Sequence, residues 1–202
     1  AHAPLEKGKA VEADLATLAA IPMVKGIRRL IETEMNPAFC LEPAFIEAVK
    51  MLPRFGFSFD ICVKHFAMTY AIELARRCPD TQFILDHIGK PDIKNGLKDP
   101  WWSQIRELAH LPNVVCKISG VATEADHAHW HRDQLRPYID HAITVFGFER
   151  VMYGSDWTVS TLALDYPTWV EIVDEAVGGA SQDERHKLYR GTAARIYRLP
   201  LS

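Results

Sequence analysis

Five short, β-rich apolar runs alternate with helical patterns along this chain. They are Val24–Ile31, Phe57–Val63, Gln82–His87, Val114–Gly120 and Val151–Asp156. Strand followed by helix, repeated, reads as βαβ units around a parallel sheet. The runs are nearly all apolar, as strands covered on both faces must be. Their mean spacing is roughly 32 residues, which suits an α/β fold of the (β/α)8 TIM-barrel type, whose eight units need about 250 residues. Strands are expected at 24–31, 58–63, 82–87, 114–120 and 151–156. The long step between the last two leaves room for one more short, irregular strand. Ahead of Val24 the chain reads as a helix, Ala10–Ala20, with no strand before it. The expectation is a single catalytic barrel domain over residues 1–202, the C-terminal part of a longer barrel. On that reading at least two N-terminal βα units are missing from the chain; an open sheet is the alternative.

The helical segments carry their own punctuation. Pro43–Leu52 has proline at an early helix position. Met68–Arg77 stops at Cys78-Pro79. Asp99–Leu108 opens on Asp-Pro, a cap followed by a first-turn proline. Leu135–Phe146 and Tyr166–Val177 follow, and Ser181–Tyr189 opens with the S-x-x-E pattern of a capping box.

Composition excludes several classes of partner. The 202 residues carry 23 Lys+Arg against 26 Asp+Glu, a net charge of −3. That balance offers no electrostatic footprint for nucleic acid or an anionic membrane, and no apolar run reaches the length of a membrane span. Ala1–Gly8 has no basic stretch leading into an apolar one, so no signal peptide is expected. Four cysteines at 40, 62, 78 and 116 form no C-x-x-C. They read as free core thiols in a reducing, cytoplasmic setting. A small-molecule substrate is the expected partner; oligomeric state is not readable.

Polar groups collect where the apolar runs end. Arg28-Arg29, Lys64-His65, Asp86-His87, Lys117 with Ser119, and Ser155-Asp156-Trp157 each follow such a run. In parallel α/β sheets the carboxyl ends of the strands build the site. Asp86 reads as a cap for the Gly89-Lys90-Pro91 turn. His127, His129 and His131 read as solvated, since period-2 spacing splays side chains around a helix. There is no G-x-S-x-G elbow, no P-loop, no G-x-G-x-x-G and no H-E-x-x-H.

The segments ILDHIGKPDI (84–93), KISGVATEAD (117–126) and FGFERVMYGSDWTVSTLALDY (146–166) resemble the amidohydrolase superfamily. The nearer match is its "amidohydrolase 2" group of sugar lactonases and pyrone-dicarboxylate hydrolases. VKGIRRLI, the 57–83 segment and GTAARIYRL (191–199) are similar to the same group. The resemblance implies a barrel that hydrolyses a ring ester or amide, with fucono- or rhamnono-lactone hydrolases as the nearest shape. It implies that Asp156 is the late-strand aspartate, base for the attacking water, and that His87 is the histidine ending the middle strand. Arg28 falls where members place a substrate-binding arginine. Two departures stand out. The usual GSDWP is GSDWT, with Thr158 for proline, and the H-x-H that ends the family's first strand has only His2 nearby.

A lactone hydrolase must deprotonate water, stabilise the carbonyl oxygen as it becomes anionic, and protonate the leaving alkoxide. Asp156 is the expected base. His87 with Arg28 or Lys117 is expected at the carbonyl oxygen, with His65 and Trp157 as further substrate contacts, Trp157 walling the sugar face. A divalent ion of the zinc type would use His87 and Asp156, two ligands where a closed protein site needs more. The cofactor expectation is therefore none or one divalent metal. The alternatives to lactone hydrolysis are metal-dependent amide hydrolysis or decarboxylation on the same barrel, or a non-catalytic fragment.

Overall fold

The computed structural model describes residues 1–200. Five parallel strands form one sheet in chain order: β1 (Gly26–Arg28), β2 (Ser58–Ile61), β3 (Phe83–Leu85), β4 (Val114–Ile118) and β5 (Val151–Tyr153). The intervening helices are α1 (Glu12–Ala19), α2 (Pro43–Met51), α3 (Met68–Arg77), α4 (Trp101–Ala109), α5 (Arg132–Phe146) and α6 (Tyr166–Ala176). Two short ones, α7 (Gln182–His186) and α8 (Thr192–Tyr197), follow. This is the TIM-type α/β pattern. Strands β1 and β5 are not joined, so the barrel is not closed. The main chain of Ala1 lies beside β1: Arg28 N–H donates to the Ala1 carbonyl at 2.7 Å, and the Ala1 amine donates to Gly26 O at 2.9 Å.

The strands are shorter than the sequence suggests. Each apolar run leaves the ladder before its polar end, because those residues turn into the rim loops. Asp86–Gly89 is a tight turn rather than the end of β3, and the 151–156 run pairs only to Tyr153. No strand lies between β4 and β5 among the described residues; a turn at Ala122–Glu124 and the 15-residue α5 fill the interval. Helix α4 starts at Trp101 with Pro100 before it, and Asp99 gives no side-chain cap. The Ser181 box forms as expected: Ser181 Oγ accepts from Glu184 N, and the Glu184 carboxylate accepts from Ser181 N at 2.8 Å.

Alternation along the strands separates two faces. Ile27, Phe59, Ile61, Phe83, Leu85, Cys116 and Val151 turn outward into the helix layer and are fully buried. Phe39, Phe45, Phe59 and Phe83 run edge to face through it, with ring centroids 5.2, 6.0 and 5.9 Å apart. The opposite, inner face carries Ile84, Val115 and Met152, with Ile196 and Tyr197 of α8 packed over them. Register places Arg28 opposite Asp60, Asp60 opposite Ile84, and Lys117 opposite Met152. All four cysteines are buried and free. No helix is long and apolar enough to cross a membrane.

Candidate active site

His87 is presented by an unusual turn. His87, Ile88, Gly89 and Lys90 all adopt positive φ, at 53°, 48°, 73° and 46°. A β-branched residue in that region is strained and persists only when its surroundings over-determine it. Here they do. Lys90 N donates to His87 O at 2.9 Å, the Trp101 indole N–H donates to Ile88 O at 2.7 Å, and His65 N donates to Lys90 O at 3.1 Å. The imidazole is held in a fixed pose, 8% exposed, with Nδ1 2.9 Å from Ser119 Oγ.

Asp156 arrives from the loop after β5, also at positive φ (53°). That loop is pinned at both sides: Gly154 N donates to Ile118 O at 3.1 Å, and the Trp169 indole donates to Gly154 O at 2.8 Å. Asp156 Oδ1 stands 3.6 Å from His87 Nε2. Gly120 makes this approach possible. A Cβ there would lie 2.8 Å from Asp156 Oδ2 and 2.8 Å from His87 Nδ1, so no other residue fits without displacing both. Burial pushes the Asp156 carboxyl above the ordinary range, against the opposing pull of His87, Lys90 and Arg28. Burial lowers His87, more than Asp86 and Asp156 raise it.

Beside this pair runs an ionic row. Lys117 Nζ donates to Asp86 Oδ1 at 2.7 Å and to Asp60 Oδ2 at 3.1 Å, and Arg28 NH1 donates to Asp86 Oδ2 at 3.1 Å. Asp86 is 1% exposed. The expectation that it caps a turn is corrected: its carboxylate is the hub that ties β1 and β4 to β3. Burial alone would raise Asp86, yet Lys117, His87 and Arg28 outweigh it and hold the carboxyl below the usual range. Asp60 goes the other way, raised by burial beyond what Lys117 and Arg28 recover, and its Oδ1 has no hydrogen-bond partner. Burial would lower Lys117, but the two carboxylates dominate and raise it strongly, so it is an ammonium.

Arg28, Asp60 and Lys117 line a cavity of about 430 Å³ together with His2. His65 opens onto a neighbouring cleft with Lys64, Glu124 and His127, its Nδ1 3.2 Å from Lys90 O. Trp157 follows Asp156 directly and is 68% exposed. Lys90 pairs with Glu32 at 2.5 Å, and both are mostly buried. The three spaced histidines form no cluster: His127 meets Thr123 O, and His129 meets Asp126. The residues that sequence reasoning passed over are Asp60, Glu32, Lys90 and Gly120. One signal for Asp60 was present: an acid inside the apolar run of β2 and a lysine inside that of β4 ask for each other once both strands are buried.

The described residues do not fit a metal ion. Cys62 Sγ, a carboxylate oxygen of Asp86 and a ring nitrogen of His87 lie within 4.8 Å of one another. Burial pushes the Cys62 thiol up to about 12, so it is protonated, and a thiol must be deprotonated to ligate. Both Asp86 oxygens are already taken by Lys117 and Arg28. That leaves His87 and Asp156, two donors where tetrahedral sites use three or four.

The amidohydrolase family model (Amidohydro_2) matches residues 1–199. An L-fucono-1,5-lactonase of Burkholderia ambifaria is 34% identical over 196 residues, covering 93% of this chain and 66% of that protein. One from Burkholderia multivorans is 34% identical over 191 residues, covering 88% and 64%. The chain thus spans just under two thirds of these curated relatives. A zinc-bound amidohydrolase structure from Burkholderia multivorans superposes with a TM-score of 0.84 at 33% identity, covering 87% of this chain and 65% of that one. A putative 2-pyrone-4,6-dicarboxylic acid hydrolase from Pseudomonas putida shares the fold, with a TM-score of 0.75 at 21% identity over 93% and 69% of the two chains. With the model matched along nearly its whole length and the parallel sheet in place, the chain belongs to the amidohydrolase family.

Proposed function

We propose that this protein opens a sugar lactone, an aldono-1,5-lactone of the L-fuconolactone type, by base-assisted attack of water. The observation that carries the reading is the Asp156 carboxylate 3.6 Å from the His87 imidazole, both mostly buried at one end of the sheet. The two lactonase relatives support the substrate class.

Asp156 takes a proton from water as the water oxygen attacks the lactone carbonyl carbon. A carboxylate raised by burial is a stronger base than an exposed one. The carbonyl oxygen becomes anionic, and the His87 imidazole together with the fixed positive charge of Arg28 and Lys117 stabilises it. The ring C–O bond then breaks, and the proton on Asp156 passes to the leaving alkoxide. The products are an open-chain hydroxy acid and a regenerated carboxylate. Trp157, exposed beside Asp156, offers an apolar wall to a sugar face. No step uses a metal.

The test is turnover of L-fucono-1,5-lactone above its uncatalysed rate, with and without a chelator. Asp156→Asn keeps the shape and removes the base. The expected result is a fall in kcat of at least about 10²-fold, the lower scale for losing a general base, with the fold intact. Near-wild-type turnover in a folded Asp156→Asn protein would rule the mechanism out. Loss of activity on chelation would favour metal-assisted hydrolysis instead.

A further inference from the structure

We propose that Ser119 is a positioning residue that fixes the tautomer of His87, so that the neutral ring carries its proton on Nε2 and serves as a hydrogen-bond donor. This rests on the lactonase reading above. Ser119 is the first residue past β4, 1% exposed, with Oγ 2.9 Å from His87 Nδ1. Gly154 faces it without a side chain; a Cβ there would lie 3.1 Å from the Ser119 Cβ. A buried hydroxyl proton needs an acceptor. Among the described residues His87 Nδ1 is the one hydrogen-bond partner of Ser119 Oγ. The hydroxyl therefore donates to Nδ1, whose lone pair is then in use, and the ring proton sits on the other nitrogen.

Three consequences follow for the chemistry. Nε2–H faces the space beside Asp156 Oδ1, whose 3.6 Å separation is too long for a direct hydrogen bond. The N–H is thus free for a reacting oxygen, which leaves Asp156 alone as the base. Ser119 is not a nucleophile either, despite a Ser-His-Asp constellation. In nucleophilic triads the serine is the exposed, attacking member; here it is enclosed, and the reactive side of the ring is the far one.

The experiment combines spectroscopy with kinetics. Long-range ¹H–¹⁵N correlation spectra of the labelled protein distinguish the two tautomers, with the His87 signals assigned by their loss in His87→Gln. The expected wild-type form is Nε2–H. In Ser119→Ala the signature should move toward the Nδ1–H form while kcat falls on the order of tenfold at unchanged KM, the scale of one orienting hydrogen bond. Ser119→Thr, which restores the hydroxyl, should restore both. An Nδ1–H ring in the wild type overturns the proposal. So does a Ser119→Ala protein in which either the tautomer or kcat stays at the wild-type value. If the wild type turns over no lactone, the functional reading fails while the spectra still decide the tautomer.

Discussion

The two faces of this sheet are made by the same eighteen strand residues, yet they solve different problems. On the outer face, Ile27, Phe59, Phe83 and Cys116 meet helices in a buried apolar cluster. On the inner face an apolar layer of Ile84, Val115 and Met152 gives way toward the rim to Arg28, Asp60 and Lys117. The first face stabilises by area removed from water and by close packing. The second contains charges that are costly to bury and acceptable only because each is partnered. The difference teaches that stability and chemistry are allotted to opposite sides of one strand. In Val114–Ile118 the allotment alternates residue by residue.

Breaking the outer face should have the largest effect. Phe59→Ala removes the middle of the edge-to-face run, and a cost of about 4 kcal/mol is expected, the scale of a large-to-alanine core truncation. Urea unfolding measures it; a loss under about 1 kcal/mol would show that the aromatic run is not the mechanical centre of the fold. On the inner face Asp86→Asn should cost about 3 kcal/mol at neutral pH, because it leaves Lys117 and Arg28 without their shared counter-ion. The pH dependence has a definite sign. Asp86 has its carboxyl lowered in the folded state, so its contribution is present above the unfolded value of about 3.9 and is lost as pH falls through the lower folded value. The gap between wild type and Asp86→Asn should therefore close in acid and persist at neutrality.

Asp60→Asn should give the smallest change, within about 1 kcal/mol at neutral pH. Asp60 is raised on folding, so its favourable contribution lies below the unfolded value and is lost as pH rises through the folded one. Neutralising it leaves Lys117 still paired with Asp86. A larger cost for Asp60→Asn than for Asp86→Asn would reverse the assignment of hub and satellite.

The fold was legible because periodicity survives in the primary structure. The order of the five strands, their parallel direction and most helices can be read from apolar runs and caps. Strand lengths were not legible, since a residue such as Val24 or Val63 looks the same inside a ladder as just beyond it. The candidate site was legible in part. His87, Asp156 and Lys117 could be noticed because polar groups at strand ends share a rim. Asp86 was misread because an aspartate just ahead of Gly89-Lys90-Pro91 looks like turn chemistry. Its actual role depends on Lys117 and Arg28, 31 and 58 residues away, brought near only by strand register. The turn at 87–90 carries one glycine for four positive-φ residues, so its shape is imposed by Trp101 and the main chain at His65 rather than by local preference.

The last short helix sets an order of events. Ile196 and Tyr197 cover Ile84, Val115 and Met152, and the Arg198 guanidinium donates to Lys25 O and Gly56 O. The contact from Arg198 to Lys25 closes a loop of 173 residues. Contacts that distant in sequence form late, since a long loop must be closed before they reward it. During synthesis the outer face can therefore be packed while the inner one waits, its apolar layer open to water and to other chains, until residue 198 has left the ribosome.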